Sequence, residues 1–424
     1  MSETIWEQTP ENSLRRHRPH GVADLIAEQA AAKTHFERLL QETFERWGYQ
    51  RIIVPTFEYY ETLATSASPQ LQQDMYRFFD REGHELALRT DMTVPTARVV
   101  GSRLYDQPLP LRFYYAGNVF RYKEPQAGQL REFTQAGIEL VGADTPEADA
   151  EVVAVAVAAL QALRIQQFQI NLGQVAFLRA AVSEVSLANG ALHALEQAIG
   201  RKNDVEIART LARLGIEGEV ARAVQATPHL CGDAAVLQEA LTLAPNEAAR
   251  QAIVRLGRVY DLLMLEGIAE HVILDLGEVR SMDYYTGITF HGYVAGLGFH
   301  VCSGGRYDGL LAHFGPDMAA VGFALGVERA MLVAPSDVHI APDLLLGACG
   351  HQACRALAAQ ARAQGLRVEV DVLPRSHEDL TAYAQARGAQ RVLLCGPQYT
   401  LIEGGERRTL TFETLQEEMR AWTS

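Results

Sequence analysis

Between Phe120 and Gly142 the chain reads FRYKEPQAGQLREFTQAGIELVG. Arg121 closes a predicted strand, a charged loop follows, and Arg131 opens a second strand. Gln135 and Glu139 stand four apart, so the two-residue period of a strand sets both on one face. An amide and a carboxylate on one sheet face, beside a charged loop, suit a small polar ligand. The loop itself carries an unusual pair, Lys123-Glu124.

Four more segments hold residues capable of recognition. In ALRTDMTVPTAR, Arg89, Asp91 and Thr93 are expected on one face of a strand end, with Asp91 as a candidate for an α-ammonium group. Asp91 or Thr93 ahead of Pro95 also reads as a plain helix start. EVRSMDYYTGITF joins Arg280, whose fork suits a carboxylate, to Asp283 and the flat walls of Tyr284 and Tyr285. An Arg280–Asp283 ion pair with half-buried tyrosines reads the same string without a ligand. CSGGRYDGL has a Gly-Gly pair that lets backbone approach a ligand, followed by Tyr307. GFALGVER turns from strand to helix and carries Arg329.

The elements that must position these groups follow from periodicity. A helix is expected over 21–48 from Leu25, Ile26, Phe36, Leu39, Leu40 and Phe44. Strands are expected at 51–55, 85–90, 111–122, 132–142 and 168–173. Asp144 or Thr145 as cap with Pro146 at N1 starts a helix to Leu163. Residues from about 177 to 269 read as a helical insertion, after which strands resume at 271–277, 286–294 and 299–311, and a strand runs into a helix over 319–333. Two prolines mark a linker at Ala334–Asp343, and alternating strands and helices beyond it predict a small α/β unit. The expected domains are 1–335 and 343–424.

Bulk properties exclude several classes of function. A net charge of −14 argues against broad binding to a phosphate backbone. Val152–Leu160 is too short and alanine-rich to span a bilayer, and the N-terminus lacks an apolar targeting core, so a cytoplasmic, membrane-free protein is expected. Five cysteines without paired spacing argue against a disulfide framework. Cys349, His351 and Cys354 read as strand end and helix face rather than as a metal site, so no metal or cofactor is expected.

In their order and spacing these segments resemble the catalytic domain of class II histidyl-tRNA synthetases. The matching strings are PHGVADL (Pro19–Leu25), GYQRIIVPTFE (Gly48–Glu58, motif 1), LRTDMT, the Phe120–Glu139 block (motif 2), RSMDYYTG, GGRYDGL and GFALGVER (motif 3). The resemblance implies an α+β fold: an antiparallel sheet flanked by helices, a helical insertion, and a C-terminal α/β domain like an anticodon-binding domain. It also implies a homodimer through motif 1.

The string departs from a synthetase where ATP would bind. Lys123 stands at the adenine-facing acid, Glu124 at an arginine and Gln129 at a further arginine; Arg121 and Arg329 remain. Asp91 is shorter than the usual glutamate, Gly287 replaces an arginine and His291 a glutamate. Residues 341–424 hold ten acids, nine arginines and no lysine, a poor match for tRNA. The histidine pocket survives as Asp91, Thr93, Gln135, Glu139, Arg280, Tyr284, Tyr285 and Tyr307. Glu139 and a tyrosine hydroxyl are expected at the imidazole, Asp91 and Gln135 at the ammonium, Arg280 at the carboxylate. This combination resembles the regulatory subunits of ATP phosphoribosyltransferase, a family paralogous to histidyl-tRNA synthetase. That resemblance implies no catalytic residue, a short-form catalytic subunit as partner in a hetero-octamer, L-histidine as ligand, no tRNA, and a part in the first step and the feedback control of histidine biosynthesis. A histidine–tRNA ligase with a divergent motif 2 is the alternative.

Overall fold

A computed structural model describes residues 16–123, 130–185, 190–279, 285–348, 351–396, 398 and 399–422. The chain divides into two compact units, Met1–Ser336 and Asp337–Ser424.

The first unit is built on nine strands: β1 (Gln50–Arg51), β5 (Leu111–Phe120), β6 (Glu132–Val141), β7 (Phe168–Gln174), β8 (Cys231–Gly232), β9 (Val272–Asp275), β10 (Ile288–Val294), β11 (His300–Arg306) and β12 (Ala320–Gly326), in the order β1-β5-β6-β12-β11-β10-β7-β9-β8. The six strands from β5 to β7 in that order pair antiparallel throughout. Short β2 (Phe57–Tyr59), β3 (Arg77–Phe79) and β4 (Glu85–Leu88) make a separate sheet in the order β2-β4-β3.

One face of the large sheet is covered by the helix Pro146–Ala162. Its start is chemical: Pro146 occupies the first turn and Ala148 N donates to Thr145 Oγ1 at 3.2 Å. The run Val152–Val157 is buried on every side, with the sheet below and the helices Glu28–Arg46 and Glu247–Leu265 against it. A helix apolar all round belongs in such a central layer. That placement explains the most hydrophobic run of the sequence; among the described residues no helix is long and apolar enough to cross a membrane.

Three expectations shift. The first helix begins at Glu28, not at 21, and Ile26 is exposed. Gly21 lies at φ +81° and Ala27 at φ +50°, so the lead-in cannot be helical; Gly21 O instead accepts Arg131 N at 2.6 Å. Beyond Arg51 the motif 1 string leaves the ladder and exposes Ile53. The stretch 175–265 is helical except for β8, whose two residues are too few to show a period.

The second unit has a five-stranded sheet ordered β14-β13-β15-β16-β17, comprising Val368–Val370, Leu344–Leu346, Arg391–Leu394, Tyr399–Glu403 and Glu406–Leu410. The first three are parallel and the last two add antiparallel, with helices Gln352–Ala363, His377–Ala386 and Phe412–Ala421.

Candidate functional site

Strand register creates the site. Thr289, Gly305, Gly322 and Glu139 lie side by side across β10, β11, β12 and β6. The parallel row two residues away is His291, Ser303, Ala324, Gly137 and Tyr115. Two glycines next to Glu139 leave a hollow in the sheet face. A Cβ on Gly305 would meet Tyr285 Cδ1 at 2.8 Å, and one on Gly322 would meet Glu139 Oε2 at 1.8 Å. Both positions are therefore restricted to glycine by close approach.

Glu139 is 1% exposed, yet its carboxylate is fully engaged. Thr93 Oγ1 donates to Oε1 at 2.7 Å, Tyr115 OH donates to Oε1 at 3.0 Å, and Tyr307 OH donates to Oε2. Thr93 reaches it because the helix Thr93–Val99 starts directly above β6. Asp91 Oδ1 accepts Val94 N at 2.9 Å as a helix-start bond, and its buried carboxylate also lines the hollow. Gln135 lines it too, with Oε1 accepting Met92 N at 3.2 Å, which leaves one carbonyl lone pair for a ligand. Tyr285 and Tyr307 close the walls.

Arg89 does not join this face. Its guanidinium donates to Asn118 O at 2.7 Å, Val54 O at 2.8 Å and Pro55 O at 3.1 Å, tying the motif 1 string to β5. The strand ends at Leu88, so the alternation expected for Arg89, Asp91 and Thr93 does not hold. Arg280, Tyr284, Glu124 and Gln129 lie outside the described residues. Tyr115, Ser303 and Gly322 were missed from sequence. Tyr115 was within reach, because pairing β5 with β6 in register sets it opposite Gly137, on the Glu139 face.

The space left at Glu139 is about 20 Å³, room for about one water.

Burial pushes the Glu139 carboxyl up to about 7, and the hydroxyls of Tyr307, Thr93 and Tyr115 limit the rise. A raised carboxyl stabilises the fold below its unfolded value of 4.5, and that stabilisation is lost as pH rises through about 7. Between pH 5 and pH 8 the unfolding free energy of the wild type should therefore fall by up to a few kcal/mol more than that of Glu139→Gln. Denaturant titrations of both proteins at the two pH values check this; parallel curves would refute it.

At the β6 start the same face turns cationic. Arg121 Nε donates to Thr90 O at 2.8 Å with its guanidinium 5.5 Å from the Phe133 ring. Arg329 Nη1 donates to His300 O at 2.9 Å and lies 5.2 Å from the Phe299 ring. Lys123 is exposed, and its ammonium is held below its ordinary pKa by partial desolvation first and then by Arg121 and Arg329. His300 is pushed down to about 3, by burial first, then by His291, Arg329, Arg121 and Lys123. The His291 ring is tilted against it, centroids 4.8 Å apart, and meets Glu278 Oε1 at 3.4 Å. Imidazoles and cations crowd this end, with Glu278 as the acid beside His291.

An antiparallel sheet with a buried acid beside a hollow at one end of its face and two arginines at the other defines a class II synthetase-like protein. The histidyl-tRNA synthetase family model matches residues 21–330. The chain belongs, more narrowly, to the ATP phosphoribosyltransferase regulatory subunit family. It is 40% identical to the regulatory subunit of Moorella thermoacetica over 87% of this chain and 96% of that one. It is 42% identical to that of Symbiobacterium thermophilum over 89% and 96%. Among solved structures, a Bacillus halodurans ATP phosphoribosyltransferase regulatory subunit/histidyl-tRNA synthetase superposes with a TM-score of 0.80 at 32% identity, covering 90% of this chain and 98% of that one. A Nostoc histidyl-tRNA synthetase at 21% identity and TM-score 0.79 shares the fold.

Proposed function

We propose that this chain is the noncatalytic regulatory subunit of ATP phosphoribosyltransferase, that it joins a short-form catalytic subunit, and that it binds L-histidine as the feedback signal. The observation that carries the ligand is Glu139: a buried acid with a titration point near neutrality, held by three hydroxyls over a glycine floor. Such a group matches an imidazole, which titrates in the same range. Asp91 and Gln135 are assigned to the ammonium, Thr93, Tyr284, Tyr285 and Tyr307 to the walls, and Arg280 to the carboxylate. An imidazole N–H donating to Oε2 in place of the Tyr307 hydroxyl makes ligand binding select between two arrangements of the pocket, the requirement for an allosteric signal.

The assembly is assigned as a homodimer through motif 1, within a hetero-octamer. The motif 1 region supports the dimer: β1 is an open sheet edge, Ile53 is 79% exposed, and Phe57 and Tyr59 project from one side of β2. No tRNA is assigned to the second unit.

Calorimetric titration with histidine tests the pocket. The wild type is expected to bind, and Arg280→Ala to lose about 10–100-fold, the worth of a charged hydrogen-bonded contact. No binding by the wild type, or equal binding by the variant, would remove the assignment. Arg121 and Arg329 still converge on one end of the face, the observation that favours a ligase. Robust histidine-dependent ATP–pyrophosphate exchange would establish that reading in place of ours.

A further inference from the structure

A second cavity lies on the reverse of the sheet from the Glu139 pocket. It measures about 560 Å³ and is formed between the helix Glu247–Leu265 of the insertion and the turns around Thr286–Gly287 and Arg306–Asp308. That volume is in the range of small-molecule sites. The two cavities share a wall. Tyr285 and Tyr307 line the front one, and their chain neighbours Thr286 and Arg306 line the rear one. Gly287 helps to keep the rear wall open, since a Cβ there would already meet Arg306 Cδ at 3.0 Å. One of the residues that depart from the synthetase pattern, Gly287, thus borders this space.

The chemistry of the walls selects a ligand class. The acids at its base are spent: Asp149 binds Arg306 and Arg255, and Asp308 accepts Arg306 Nη1, Thr286 Oγ1 and Ala320 N. Arg306 is spent with them, but the other two guanidiniums keep donors to spare. Arg255 Nη2 has no hydrogen-bond partner among the described residues. Arg258 has Glu147 at 3.7 Å, both side chains being more than half exposed. Asp144, which holds Arg255 Nη1, is 65% exposed and can yield its place to a competing anion. We propose that this cavity is a second ligand site, taking a small molecule with an acidic group, carboxylate or phosphoryl, between Arg255 and Arg258.

Calorimetric titration of the full chain with inorganic phosphate, and separately with succinate, tests this. Saturable binding of either is expected; the probe that binds names the acidic group. Arg258→Ala should weaken that binding at least 10-fold, and Ala248→Trp, which fills the cavity from an exposed helix position, should abolish it. Circular dichroism of both variants checks that they fold. The proposal fails if neither probe saturates, or if binding persists in both variants. It fails equally if binding survives them and disappears in Arg329→Ala, which would put the anion on the other face of the sheet. Histidine binding at Glu139 is a separate titration, and its outcome leaves these results unaffected.

Discussion

Asp149→Ala is expected to destabilise the first unit by roughly 3–5 kcal/mol, the cost of stranding a buried charge. Asp149 is fully buried in the helix Pro146–Ala162 and accepts Arg306 Nε at 2.8 Å and Arg255 Nε at 2.8 Å. Arg306 is itself 2% exposed and cannot reach water once its partner is gone. Its other bonds, to Asp308 Oδ1 at 2.8 Å and Ala143 O at 3.0 Å, do not replace a carboxylate. The pair is not intrinsically stabilising, because desolvation opposes the attraction between its charges. Asp149→Leu combined with Arg306→Met should therefore recover much of what either single change loses. Denaturant unfolding of the two singles and the double measures the coupling; losses that simply add would sink the argument.

Gly322→Ala should cost about 3 kcal/mol or more and also abolish histidine binding. The new Cβ would fall 1.8 Å from Glu139 Oε2 and 2.5 Å from Ile138 O. The carboxylate cannot swing away without breaking its bonds to Thr93, Tyr115 and Tyr307. Nor can the backbone retreat, since Gly322 pairs with Glu139 in the β6–β12 ladder. Gly298→Ala, at a position with nothing within 4 Å, is the silent control. A Gly322→Ala protein with wild-type melting and wild-type histidine affinity would show that the hollow is not what we describe.

Local chemistry was legible in the chain itself. The two-residue period put Gln135 and Glu139 on one face, and both line the same hollow or hold its hydroxyls. The Thr145-Pro146 start and the all-apolar helix behind it follow from capping and from the absence of a polar stripe. The order of the recognisable strings pointed to the family, because each depends on a backbone conformation that few residues permit. Boundaries were less legible. Leu25 and Ile26 match a helical period, but the left-handed Ala27 ends that possibility.

Only the tertiary structure decided which faces meet. Thr93, Tyr115 and Tyr307 reach Glu139 from 46, 24 and 168 residues away. Arg306 finds Asp149 across 157 residues, and Arg89 is withdrawn from the ligand face by carbonyls of the motif 1 segment and β5. Period gives each side chain a side of its own strand. It does not say which strand lies next to it or in what register, and a shift of one residue would turn every group to the opposite face. The sequence by itself therefore determined the family and the residues suited to a small polar ligand. The sheet order β5-β6-β12-β11-β10 determined which of the described ones meet around Glu139.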